Sequence, residues 1–115
     1  MSTIELGEFD TGLYSGCKFH TEGKQALLTV EVNEVGDKLI KFDEVKYHQF
    51  TALYHCDKSM IEPYFKVVEL PKSKELKQFL KRDLSGYPPK ALKHYRIFLD
   101  ESGCFDIFAE SATLI

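Results

Sequence analysis

Residues 26–32 (ALLTVEV) alternate along the chain: Ala26, Leu28, Val30 and Val32 fall on one side, Leu27, Thr29 and Glu31 on the other. A period of two is the mark of a strand with one buried face. Residues 33–37 (NEVGD) follow as a turn, because Asn, Gly and Asp tolerate turn backbone. Residues 38–42 (KLIKF) then return as the partner strand. The glycine-punctuated first 25 residues predict turns around a short strand at 16–20. Residues 64–70 (YFKVVEL), aromatic and β-branched, predict a further strand entered after Pro63.

At Ser73 the period changes. This serine can cap a helix, Glu75 lies in the first turn, and Leu76, Phe79, Leu80 and Leu84 recur at helical spacing. Gly86 and the Pro88-Pro89 pair stop it. Residues 94–109 (HYRIFLDESGCFDIFA) return to period two and predict a hairpin. A three-residue loop at Glu101-Ser102-Gly103 places Ile97 opposite Ile107 and Leu99 opposite Phe105. Tyr95, Ile97, Leu99, Phe105, Ile107 and Ala109 then share one face, since a slip of one residue would mix the faces. Arg96 and Asp106 lie diagonally on the other face, together with Phe98 and Phe108. That outer pair of phenylalanines needs cover from the helix or from a partner.

The expected fold is therefore one α+β domain spanning residues 1–115. It is mainly an antiparallel β-sheet of about five to seven strands, curled or sandwiched. One helix near residues 74–84 packs on it. The expected core is Leu28, Val30, Phe42, Phe50, Val67, Leu76, Phe79, Leu80, Ile97, Leu99, Phe105 and Ile107.

Residues 47–56 (YHQFTALYHC) carry two histidines and a cysteine, which raises the question of a site. Aromatic and β-branched residues favour a strand here. In a strand, an odd separation sends His48 and His55 to opposite faces. His48 and Cys56 share a face but stand about 27 Å apart. Closely spaced ligand pairs of the kind structural zinc uses are not present, and His94 and Cys104 sit at opposite ends of their hairpin. Phosphate-loop and nucleophile-elbow motifs are also missing. The expectation is that polar and thiol side chains are scattered, with no catalytic residue, metal or cofactor.

Composition adds compartment. Cys17, Cys56 and Cys104 are odd in number and widely spaced, as reduced thiols are. No basic leader or long apolar run opens the chain or crosses it, so a cytoplasmic protein without membrane contact is expected. The net charge is −3, unevenly spread. Residues 66–96 hold nine bases against three acids, whereas the flanking segments are acidic. On a helix, Lys74, Lys77 and Lys81 form one stripe with Arg82 beside it. Such a stripe suits an acidic partner or phosphates, with Tyr87 or Tyr95 available to stack on a base. An acidic whole argues against nucleic acid as the main partner.

A meander of strands, a helix, and a terminal hairpin ending in FDIFAESATLI resembles small β-rich bacterial proteins. Among these are immunity proteins of polymorphic and contact-dependent toxin systems. The resemblance implies a non-enzymatic module that binds and neutralises a toxin domain. Surface candidates for partner binding are Lys74, Lys77, Lys81, Arg82, Phe98 and Phe108, the last two also serving a homodimer seam. The alternative is a small enzyme or ligand-binding protein with a pocket lined by the sheet. A nucleic-acid binder through the basic helix face is third.

Overall fold

Each alternating segment of the chain finds its partner, and the result is two antiparallel sheets face to face. The computed structural model describes residues 3–7, 9–82 and 92–115. Strand β1 (Thr3–Glu5) is followed by β2 (Tyr14–Glu22), β3 (Gln25–Val32), β4 (Lys38–Asp43) and β5 (Tyr47–Ala52). A short helix α1 (Lys58–Ile61) leads into β6 (Lys66–Glu69), and helix α2 (Lys74–Arg82) follows. Strands β7 (Lys93–Leu99), β8 (Gly103–Ala109) and β9 (Ser111–Leu114) complete the described chain. The end of the predicted helix, its Gly86 and proline stop, and Tyr87 lie outside the described residues.

One sheet has the order β1-β6-β7-β8-β5 and the other β2-β3-β4-β9. The fold class is thus α+β and mainly antiparallel β, with nine strands among the described residues. Strands β1 and β9 carry no strong alternation and were not expected. They form because a neighbour offers a ladder: Ile4 pairs with Val67, and Phe42 with Ala112. The chain crosses between the sheets at Glu44–Lys46 and again at Glu110, whose N–H donates to the Asp43 carbonyl at 2.9 Å. No helix among the described residues is long and apolar enough to cross a membrane.

The core lies between the sheets. Leu28, Val30, Ile40 and Phe42 of one sheet meet Tyr95, Ile97, Leu99 and Ile107 of the other, all buried. The Phe42 and Tyr95 rings stand 5.9 Å apart. Burying each large apolar side chain contributes about 1.5–3 kcal/mol relative to exposure. Tyr95 is therefore a core residue, unavailable for stacking on a base.

Four expected core residues sit elsewhere, Leu76 and Phe79 being only half-buried on α2 and outside the core between the sheets. Phe50 is 48% exposed because β5 is the edge strand of its sheet, and its ring lies 4.8 Å from that of Phe105. Leu80 is 39% exposed on the solvent side of α2. Strand β5 is also shorter than the expected ten-residue strand: at Leu53 the chain turns into a 3₁₀ turn, Leu53–His55.

The hairpin shows the expected faces in a different register. Ile97 opposes Phe105, Tyr95 opposes Ile107, and Leu99 opposes Gly103. The loop is Asp100-Glu101-Ser102, closed by Ser102 N–H donating to the Leu99 carbonyl at 3.0 Å. Glu101, with φ at 65°, takes the left-handed position of this loop. A shift of two residues preserves every face but changes every pair. Arg96 and Asp106 become direct neighbours.

Candidate functional site

The register of β7 and β8 puts His94, Arg96 and Phe98 beside Phe108, Asp106 and Cys104 on the face turned away from the core. Outer faces of sandwiches are ordinarily solvated. Here all six of these residues are buried. The cover comes from the chain itself. Phe79 of α2 packs edge-on against Phe108 at 5.3 Å, with Tyr47 at 5.0 Å, and Tyr64 stacks on Phe98 at 6.1 Å. Phe98 and Phe108, expected as a partner surface or dimer seam, are 2% and 3% exposed and present no free face. The requirement for cover was read rightly; a helix and a loop of the same chain meet it.

A polar chain runs through this layer. Arg96 Nε and His94 Nε2 each lie 2.6 Å from Asp106 Oδ1. His94 Nδ1 is 2.6 Å from Ser73 Oγ. Ser73 Oγ also accepts the Leu76 N–H at 3.1 Å, so the capping residue of α2 is tied to the sheet through an imidazole. The Cys104 thiol lies 3.8 Å from Asp106 Oδ2.

Protonation states follow from these contacts. Burial alone would raise the Asp106 pKa, but the hydrogen bonds from His94 and Arg96 outweigh it and hold the carboxyl below its ordinary value. An ionised carboxylate only accepts, so His94 carries a proton on Nε2. On the other side of the ring, Nδ1 is hydrogen-bonded to the Ser73 hydroxyl, which also donates to Glu75 Oε2 at 3.2 Å. Burial, with the Asp106 charge behind it, pushes the Cys104 thiol up to about 12. Arg96 is held charged, the Asp106 carboxylate overcoming the effect of burial.

Beside this network lies a cavity of about 250 Å³ between the sheet and α2. Tyr47, Phe79, Phe108 and Met60 supply apolar walls. Arg96, His94, Asp106, Gln49, Glu75, Gln78 and Arg82 supply the polar ones. Glu75, Gln78, Phe79 and Arg82 recur at helical spacing, so one stripe of α2 faces the sheet. The guanidinium of Arg96 has five N–H donors. Among the described residues only its Nε is engaged, by Asp106.

The expected scattering of polar groups therefore fails for one layer of the protein. His94, Arg96 and Asp106 converge because a direct cross-strand pair brings Cβ atoms within about 4.5–5.5 Å. The sequence held a usable signal: three polar residues at even positions of a hairpin otherwise apolar on both faces. Lys74, Lys77 and Lys81 are exposed on α2 as expected, whereas Arg82 turns toward the cavity. His48 packs against Phe19 with the rings 4.8 Å apart and tilted, and Cys56 donates weakly to the Thr51 carbonyl at 3.4 Å. Residues 47–56 thus form no cluster of their own. Among the described residues, no three His, Cys, Asp or Glu side chains converge as a metal site requires.

Ser73→Ala removes both the helix cap and the partner of a buried imidazole nitrogen. The expected cost is about 2 kcal/mol, combining a lost cap with a buried imidazole nitrogen left unpaired. Urea unfolding followed by circular dichroism measures it. A change under a few tenths of that would mean that water replaces the hydroxyl.

No protein-family model matches the chain, and no curated protein or solved structure shows significant similarity to it.

Proposed function

We propose that this chain is a binding protein for a small organic anion, held in the cavity beneath α2. One observation carries the reading: a buried guanidinium, anchored through Nε alone among the described residues, opens into an aromatic-walled cavity of about 250 Å³. A planar guanidinium whose remaining N–H groups no described residue engages matches a carboxylate or phosphate bidentately. Arg82 also lines the cavity, so two guanidiniums stand there against the carboxylates of Asp106 and Glu75. The ring faces of Phe79, Phe108 and Tyr47 suit an apolar or aromatic body. The volume lies below the roughly 300–1,000 Å³ of drug-sized sites, which favours a metabolite-sized ligand.

Binding fits the chemistry of the site better than catalysis. Both nitrogens of His94 are engaged, the Ser73 oxygen takes a helix N–H, and the Cys104 thiol is held protonated. None of the three stands ready to move a substrate proton or attack a carbonyl. Benzoate and phenyl phosphate are suitable probes, with benzylamine as the cationic counterpart. The anions are expected to shift the amide resonances of Tyr47, Phe79 and Phe108 saturably, and Arg82→Gln to weaken them about tenfold with the fold intact. Equal response to benzylamine, or none to either anion at millimolar concentration, would sink the reading.

A protein-docking role, including neutralisation of a toxin, keeps one supporting observation. Lys74, Lys77 and Lys81 lie exposed along α2, away from the cavity, and such a stripe would suit an acidic protein surface. Co-purification with the product of the adjacent open reading frame, lost when the three lysines are replaced by glutamate, is its test.

A further inference from the structure

Sheet edges are where a β-protein must defend itself, since each offers unpaired N–H and C=O groups to another chain. Three of the four edges here are blunted. Strand β1 has three residues and ends in Glu5, β9 has four, and β2 carries Lys18, Glu22 and a register shift between Tyr14 and Gly16.

The fourth edge is β5, and it is different. Its six residues, YHQFTA, contain no charge, no proline and no glycine. Five of the six are exposed, on both faces of the strand. Tyr47 is 39% and Phe50 48% exposed. Among the described residues, β5 is paired on one side only, with β8. An uncharged, aromatic edge of this length is costly to leave in water.

We infer that β5 is a homodimer interface, in which two copies pair their β5 strands antiparallel about a two-fold axis at Phe50. A second copy fits this edge for reasons internal to the strand. An antiparallel two-fold must place same-face residues opposite one another. With the axis at Phe50, its ring meets its own copy, His48 meets Ala52, and Gln49 meets Thr51. Polar residues therefore pair on the outer face, while the two half-exposed phenylalanine rings pair on the inner one, as favourable cross-strand aromatics do. No like charges oppose each other. The interface is small, so the dimer is expected at the weak end, with a dissociation constant on the order of 10–100 µM. This inference does not depend on the ligand cavity, although Tyr47 and Gln49 of β5 also line it.

Sedimentation velocity across that concentration range tests it, together with hydrogen exchange of the backbone at low and high concentration. The expected results are a monomer–dimer equilibrium and exchange at residues 47–52 slowed about tenfold as the dimer forms. Phe50→Lys puts two charges at the axis and is expected to leave a monomer, while Thr29→Lys, on the far face of β3, leaves dimerisation unchanged. Since Phe50 also touches Phe105, circular dichroism checks that the variant folds, and the exchange data on the unmodified chain decide the matter independently. A monomer at every concentration would overturn the inference. So would a dimer whose residues 47–52 stay unprotected, or a folded Phe50→Lys variant that still dimerises.

Discussion

Asp106→Ala is expected to destabilise the fold by about 3–5 kcal/mol, the cost of breaking a buried ion pair from one side. The carboxylate is 7% exposed and accepts from both Arg96 and His94 at one oxygen. Removing it leaves a guanidinium, itself 7% exposed, with its engaged Nε unpaired, and frees the imidazole that anchors the cap of α2. Asp106→Asn keeps the shape but not the charge and is expected to fall between. Urea titration with tryptophan-independent circular dichroism measures both, since the chain has no Trp. A loss under about 1 kcal/mol for the alanine variant would mean that the site is wetter than its burial implies.

The same residue sets an acid limit. Because the folded-state pKa of Asp106 lies below its unfolded value of about 3.9, its contribution is complete above that pH and is lost as pH falls through the folded value. Melting temperature is therefore expected to drop on acidification below about pH 4. In Asp106→Ala that drop is expected to be shallower.

Gly103→Ala is the second large effect, expected at about 3 kcal/mol or more. Gly103 sits at φ 148°, where side chains are strained, and an added Cβ would fall well inside contact with the Thr51 carbonyl oxygen and within 3.1 Å of Ala52 Cα. Those atoms are backbone of β5 and cannot swing aside. Overpacking and backbone strain each cost about 1–3 kcal/mol. The variant is expected to loosen β5 from β8, seen as faster exchange at residues 47–52 before global unfolding. Unchanged exchange there would show that β5 can shift to admit the methyl group.

The two predictions mark different limits of legibility. The hairpin pattern puts Gly103 in the loop, whereas it opens β8. In the structure Glu101 takes the left-handed turn position, and Gly103 serves a close approach by β5, a strand about 50 residues earlier. No local pattern encodes that approach. Asp106 was placed on the correct face for a local reason, the period of two. Arg96 is expected only diagonally from it, and the direct pairing differs because a two-residue register shift leaves every face unchanged, so face periodicity cannot choose between the two pairings.

What the residues determined alone was local and periodic. Alternation made strands of residues 26–32 and 38–42 and sorted the faces of the hairpin. The Ser73 cap and the spacing of Leu76 and Phe79 made a helix. What only the tertiary structure decided was which elements lie against one another. That brought α2 over Phe108, joined Ser73 to His94 across 21 positions, and left β5 bare at an edge. The division has a physical cause. Backbone sterics and side-chain period act within a few residues, while burial of a whole face is a property of the assembled layers.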